Sequence, residues 1–275
     1  VTSAGTGMYL TGESYLDGGK LELENKTTGT PAAAIYYKKG TSSNEVSHNT
    51  DLTTTAGNDL LALYADGGIK LNNNKDIIID TGKNNVGAYV TGGSIFNNKG
   101  SIKLGTATGT TLINAIGIYV ADGEAVNTAG KTIEIYDRNN AAGSSLSVGM
   151  LAKADVGKTA TIKNVGNLNV NGEAVGMNID DNSTGSNSGT ITAKQNGTLK
   201  AIATYVNGAN AKFTNSGTIS AYDIALALKN TTATKVTNTG TLKLTKTGAV
   251  GVYANDSIVD FNIAPTVETG ADETV

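Results

Sequence analysis

Cysteine and tryptophan are missing from this 275-residue chain, and it has only two prolines, three phenylalanines and one histidine. With one histidine and no cysteine, a zinc site that needs three or four ligands has too few. Acyl-transfer chemistry needs a nucleophile, a base and an orienting group. His48 is the only base of that kind, and no Gly-x-Ser-x-Gly accompanies it. Its surroundings, Lys38–Thr50, are polar, so the segment reads as a loop leaving the body and His48 as a solvated loop residue. No apolar run approaches the roughly 20 residues that span a bilayer. The net charge is −3, with lysines and glutamates scattered, so the basic stripe of a nucleic-acid binder is absent. No glycine cluster leads into Lys-Ser/Thr and a helix start, which removes a phosphate cradle. Pro31 and Pro265 lie near the ends, leaving most of the chain free for ladder hydrogen bonds. The chain opens abruptly at Val1-Thr2-Ser3 with no signal peptide, as expected of a piece of a longer protein.

What is present is a repeat. The five residues Val86-Gly87-Ala88-Tyr89-Val90 recur ten times, starting at Thr6, Ala33, Leu61, Val86, Ile116, Val148, Val175, Ile202, Ile224 and Val250. Starts 22 to 32 residues apart over a whole chain mean a repeat architecture. Positions one, three and five are mostly aliphatic, position two is mostly Gly or Ala, and position four is mostly Tyr. Period-2 alternation predicts a strand with one, three and five inward and four outward. Position two is expected to share the outer face and to leave a shallow trough beside each ring.

A second signature follows. Phe96-x-Asn98-x-Gly100-x-Ile102-x-Leu104 returns at Ile162, Phe213 and Val236, and from Asn187 without its leading apolar residue. Looser copies are Leu71-x-Asn73-x-Lys75 and Val126-x-Thr128-x-Gly130. Each repeat thus holds three short strands that cannot bury their apolar face alone. Stacking coil on coil buries a continuous core. The prediction is an all-β, right-handed parallel β-helix of about ten coils with three short strands each, its hand set by the crossover rule. At about 4.8 Å per coil, the rod is roughly 45–50 Å long. Residues 1–263 form one β-helix segment, and 264–275 read as a boundary, a linker or a divergent coil. Phe213, Phe96, Ile162 and Val236 share one repeat position and are expected in the core.

Asn98, Asn164, Asn187, Asn215 and Asn238 occupy one repeat position. Stacked amides donate and accept along a ladder, which makes a structural role the favoured reading over a ligand-binding row. The glycines two residues later are expected at positive φ or in a crowded corner. Tyr9, Tyr36, Tyr64, Tyr89 and Tyr119 are expected to stack outside as a second ladder. That ladder either supports the sheet or forms a recognition strip with a polar hydroxyl edge. Asp180-Asp181-Asn182 is the one tight acidic group in the coils, read as a charged turn ahead of a calcium site. Glu22, Asp80, Glu134 and Asp180 fall at different repeat positions, which disfavours a polysaccharide-active enzyme. No cofactor is expected.

The phrases Thr214-Asn215-Ser216-Gly217-Thr218-Ile219 and Thr237-Asn238-Thr239-Gly240-Thr241-Leu242 resemble passenger domains of bacterial type V autotransporters. The Lys- and Asn-rich, cysteine-free sequence is most similar to the very large fusobacterial autotransporter adhesins. Lack of cysteine suits a chain that crosses a periplasm unfolded. The resemblance spans nearly all of residues 6–263. It implies a right-handed β-helix on the bacterial surface, anchored through a C-terminal outer-membrane barrel outside this chain. It also implies attachment to a glycan or protein receptor on host cells or other bacteria. A structural spacer that holds a separate binding tip away from the membrane is the rival reading. No binding residue carries over, because the matching motif is a structural one.

Overall fold

The computed structural model describes residues 5–24, 29–41, 45–54, 57–107, 112–137, 146–195, 200–231, 236–258 and 266–269. Among them every helix or strand element is a β-strand, Ile224–Lys229 included, where a helix could have been read. The strand pairings are parallel, each strand bonded to its counterparts one coil before and one coil after. The chain is a right-handed parallel β-helix with three faces.

The first face is a ten-stranded sheet built in chain order from Thr6–Thr11 to Val250–Asn255. The second face takes strands such as Ser94–Asn98, and the third takes strands such as Ile102–Leu104. These two faces join into one 17-stranded sheet because Glu45–Thr54 belongs to both. Its first half pairs with Lys70–Asn73 and its second half with Ile77–Ile79. The expected loop across Lys38–Thr50 is therefore corrected: Val46-x-His48-x-Thr50-x-Leu52 is the repeat template itself, with His in place of Asn. Within 264–275, Thr266–Thr269 pairs in register with Thr241–Leu244, so the third-face ladder runs past residue 263.

The core is a set of stacks along the rod. On the second face Leu71, Phe96, Ala125, Ile162, Gly185, Phe213 and Val236 follow one another in register. Phe213 is 1 % exposed, and Phe96, Ile162 and Val236 are fully buried. Large and small side chains alternate, so the layers interdigitate at interior density. Gly185 leaves space that Ile179 of the first face fills. The third face contributes Ile77, Ile102, Ile133, Leu168, Ile191, Ile219 and Leu242, all buried. Each such side chain is worth about 1.5–3 kcal/mol when removed from water. The backbone groups between coils pair with one another, so stacking satisfies both requirements at once.

The first face departs from strict alternation. Its ladder pairs positions one, three, four and five and skips position two. At that bend positions two and three both turn inward. Ala62, Ala203 and Ala225 lie in the core. A Cβ on Gly117 would sit 2.5 Å from the Gly149 carbonyl oxygen and 2.9 Å from the Ile133 methyl Cγ2. Position two is small because it faces a crowded interior, not because it forms an outer trough. Position one faces outward beside position four: Ile116, Val148, Val175 and Ile202 cluster with Tyr119, Leu151 and Tyr205, apart from the core.

The register near residue 126 also differs from the expected copy. Ala125 and Asn127, not Val126 and Thr128, pair with Phe96 and Asn98. One residue is inserted before Gly130, and the side-chain period of two makes a one-residue slip exchange the faces.

Candidate functional site

Two ladders of identical side chains run along the rod. The inner one begins at the corner between the second and third faces. Asn73 Nδ2 donates to Asn98 Oδ1 at 3.1 Å, Asn98 to Asn127 at 3.0 Å and Asn127 to Asn164 at 2.9 Å. It continues from Asn164 to Asn187 at 2.8 Å, to Asn215 at 2.7 Å and to Asn238 at 2.6 Å. All seven amides are buried. Each of Asn164, Asn187, Asn215 and Asn238 also donates to the carbonyl two residues on. The glycine at that point keeps an ordinary φ. A Cβ on Gly217 would collide with the Gly189 carbonyl, so of the two expected reasons for glycine the crowded corner holds. The amides are consumed by one another and by backbone, which leaves no polar edge for a ligand.

His48 stands one coil before Asn73 in the same register and is fully buried, correcting its reading as a solvated loop residue. Its Nδ1 lies 2.9 Å from the Tyr37 hydroxyl, itself buried. His48 Nε2 and Asn73 Oδ1 are both buried and without a partner at hydrogen-bond distance. In later coils the equivalent pair is an N–H donating to the next Oδ1. The tautomer that keeps this polarity carries its proton on Nε2, with Nδ1 accepting from Tyr37. Burial lowers the imidazole pKa to about 4, opposed by the nearby Thr50 carbonyl and the Asp51 carboxylate.

The outer ladder lies on the first face. Ring centroids are 5.0 Å apart for Tyr9 and Tyr36, 4.5 Å for Tyr36 and Tyr64, 5.1 Å for Tyr64 and Tyr89, and 5.0 Å for Tyr89 and Tyr119. Tyr9 at the end is 54 % exposed, and the four that follow are half-buried. The Tyr36 hydroxyl donates to Asp66 at 2.5 Å. Burial, then the neighbouring Tyr119 and Tyr64, pushes the Tyr89 hydroxyl up to about 12, so it stays a neutral donor. Tyr64 and Tyr89 stack at 30°, Tyr36 and Tyr64 tilt at 49°, and the Tyr9–Tyr36 and Tyr89–Tyr119 pairs meet edge to face at 83° and 85°, with aliphatic position-one residues flanking the series.

A third ladder escaped sequence reasoning. Asn84 Nδ2 donates to Asp59 Oδ1 and Asn114 Nδ2 to Asn84 Oδ1, both at 2.8 Å. All three residues have positive φ, near 52–57°. They stand two residues before position one of the first-face repeat, a spacing visible in Asp59-Leu60-Leu61, Asn84-Asn85-Val86 and Asn114-Ala115-Ile116. Asn tolerates the left-handed region and can bond its neighbour coil at the same time.

Asp181 and Asn182 form a turn in which Asp181 Oδ1 accepts from the Asn210 amide at 2.7 Å. Among the described residues no group of three or more His, Asp or Glu side chains converges to hold a metal ion. The third face carries a shallow groove of about 290 Å³ lined by Glu134, Tyr136, Asn169, Asn171, Thr192 and Lys194.

No curated protein and no solved structure gives a significant match. A family model does: residues 1–208 match the BigA third pectate lyase-like domain. The repeat, the three parallel faces and that match over most of the sequence agree, and the chain belongs to the family of the BigA third pectate lyase-like domain.

Proposed function

We propose that this chain is a non-enzymatic segment of a bacterial cell-surface adhesin, a β-helical rod that contributes lateral contact surface to attachment. The observation that carries the reading is the family match over residues 1–208, since BigA is a bacterial autotransporter-like adhesin. A pectate lyase-like fold is enzyme-related in general, and fold alone does not assign an activity. The inner amides and outer tyrosines are engaged with one another, as a load-carrying rod requires. In this reading the rod is exported, is anchored to the outer membrane through a further domain, and is of the large fusobacterial type. Its partner is a glycan or protein on a host or bacterial surface.

The tyrosine ladder is assigned to cohesion of the first face. Rings 4.5–5.1 Å apart contact one another in stacked, tilted and edge-to-face geometry, the arrangements that aromatic pairs favour. The recognition-strip alternative is decided by replacing Tyr64, Tyr89 and Tyr119 together with Ser and measuring cell attachment of the folded variant. Unchanged attachment is expected, and its loss assigns the strip to recognition.

The adhesion reading is tested by coating beads with the chain and counting their retention on epithelial and bacterial cells. Retention above that of albumin-coated beads is expected. Deleting the coil 175–201, which joins equivalent repeat positions, should change retention abruptly. Absence of retention for the intact chain would leave the spacer as the better account.

A further inference from the structure

The third-face groove has features that the two ladders lack. Its outward side chains form two columns across three coils: Glu134, Asn169 and Thr192 in one, and Tyr136, Asn171 and Lys194 in the other. Tyr136 rises at one end and Lys194 at the other, two rungs or about 10 Å apart. Between them the side chains are short. The groove exists because Asn171 follows Tyr136 in its column, and Asn169 and Thr192 follow Glu134 in the other, where the first face has a run of further tyrosines.

The Tyr136 ring is held in place. Its hydroxyl donates to Glu134 Oε1 at 2.8 Å. Burial, then that bond, pushes the phenol up to about 12, so the hydroxyl stays protonated and the bond persists across the physiological range. Lys103, one coil earlier and paired in register with Glu134, places its ammonium 5.8 Å from the ring centroid. With the cation on the side of the preceding coil, the other face of the ring forms the wall of the groove. Among the described residues no aromatic stacks on that face, because the next coil supplies Asn171. The tyrosines of the first face from Tyr9 to Tyr119, by contrast, each have another tyrosine ring at 4.5–5.1 Å.

The floor is polar. Asn171 Nδ2 makes one long contact, 3.4 Å, to the Ile135 carbonyl. Among the described residues none hydrogen-bonds the side chains of Asn169 or Thr192. A free aromatic face beside amide and hydroxyl groups, with a carboxylate at the edge, matches a sugar ring. One side of a pyranose is a patch of C–H groups, and its rim is hydroxyls that both donate and accept. The volume lies at the bottom of the range for small-molecule sites, about 300 Å³, which suits one saccharide unit of a longer glycan. The groove lining carries one carboxylate, Glu134, and one ammonium, Lys194, with no cluster of either sign, so a neutral hexose is the unit proposed for it.

We propose that this groove is a glycan subsite that takes one neutral hexopyranose unit, its C–H face on Tyr136 and its hydroxyls on Glu134, Asn169, Asn171 and Thr192. The proposal rests on the adhesion reading and narrows its receptor to a carbohydrate. The test is an array of immobilised neutral glucose, galactose and mannose oligosaccharides probed with the whole chain. Binding to at least one series is expected. Tyr136→Ala should weaken it by tenfold or more. Asn169→Ala with Asn171→Ala, changes at half-buried, outward-facing positions that leave the core intact, should weaken it comparably, with the melting temperature unchanged. An intact chain that binds no sugar on the array overturns the subsite, as does binding that both variants keep. Retention of the coated beads on cells is read separately. Retention with a blank array rejects the sugar while leaving adhesion standing, and no retention rejects adhesion itself.

Discussion

The inner asparagines and the outer tyrosines are the same device in two solvents. Both place one residue type at one repeat position on successive coils, and both spacings come from the same backbone stack. The asparagines are dry: every amide from Asn98 to Asn215 donates to one neighbour and accepts from another. The tyrosines are half-buried, and water can replace part of what each neighbour provides. A buried polar group that loses its partner bears a full desolvation cost, whereas a half-exposed ring loses contact area alone. Interruptions follow suit. The outer ladder tolerates Leu151, Asn178 and Ala227 between its tyrosines, while the inner one runs unbroken from Asn73 to Asn238 and meets an imidazole at its start.

The largest expected effect comes from breaking the inner ladder in the middle. Asn164→Leu removes the donor to Asn187 and the acceptor of Asn127, and it strips the Gly166 and Thr190 carbonyls of a partner. Several orphaned buried groups at about 1–3 kcal/mol each predict a loss of about 4 kcal/mol. Urea denaturation measures it, and a loss below about 1 kcal/mol would mean that the ladder relaxes around the substitution and that the contrast with the tyrosines is one of appearance.

The start of the inner ladder sharpens the contrast by pH. His48 is neutral in the fold, with its pKa lowered to about 4, and titrates near 6.5 when unfolded. The unfolded chain therefore takes up a proton first as pH falls. The neutral fold has its full advantage above about pH 6.5 and loses it progressively down to about pH 4, a change of about 3 kcal/mol. Tyr37 and Asp51 are the titratable groups beside it. His48→Asn extends the amide series by one coil and should flatten stability between pH 4 and 7. A variant that keeps the wild-type slope would assign the slope to carboxylates elsewhere.

The periodicity carried the fold, and two physical effects limited what it said of the surface. Period-2 alternation assumes a regular strand, so it put position one inward. Only the bend at position two, where Gly117 and Gly149 back onto Ile133 and Leu168, turns position one out. Alignment by the Asn-x-Gly spacing missed Asn127, because an insertion before Gly130 moves the glycine and leaves the amide in place. His48 was hidden by composition: polar neighbours on alternating positions are what a strand at a polar corner needs, and they read as a loop. The third-face groove has no motif at all. It is a difference between rows, Tyr136 beside Asn171, that exists only when coils 35 residues apart in sequence are laid side by side.

The smallest effect separates the ladders on their own scale. In a double-mutant cycle, Tyr64→Ser and Tyr89→Ser are made singly and together, and the coupling is the part of the loss that is not additive. These rings are 5.1 Å apart and stacked at 30°, the most parallel pair in the series. Aromatic pairs contribute about 0.5–1.5 kcal/mol beyond area burial, and partial exposure puts this one in the lower half of that range. The corresponding inner cycle, Asn164→Leu with Asn187→Leu, removes a buried donor and its acceptor together, so its coupling should be larger and of the compensating sign. Equal couplings would show that solvent makes no difference to how stacked identical residues hold a coil. A coupling near zero for the tyrosines would leave them without a cohesive role and return the first face to recognition.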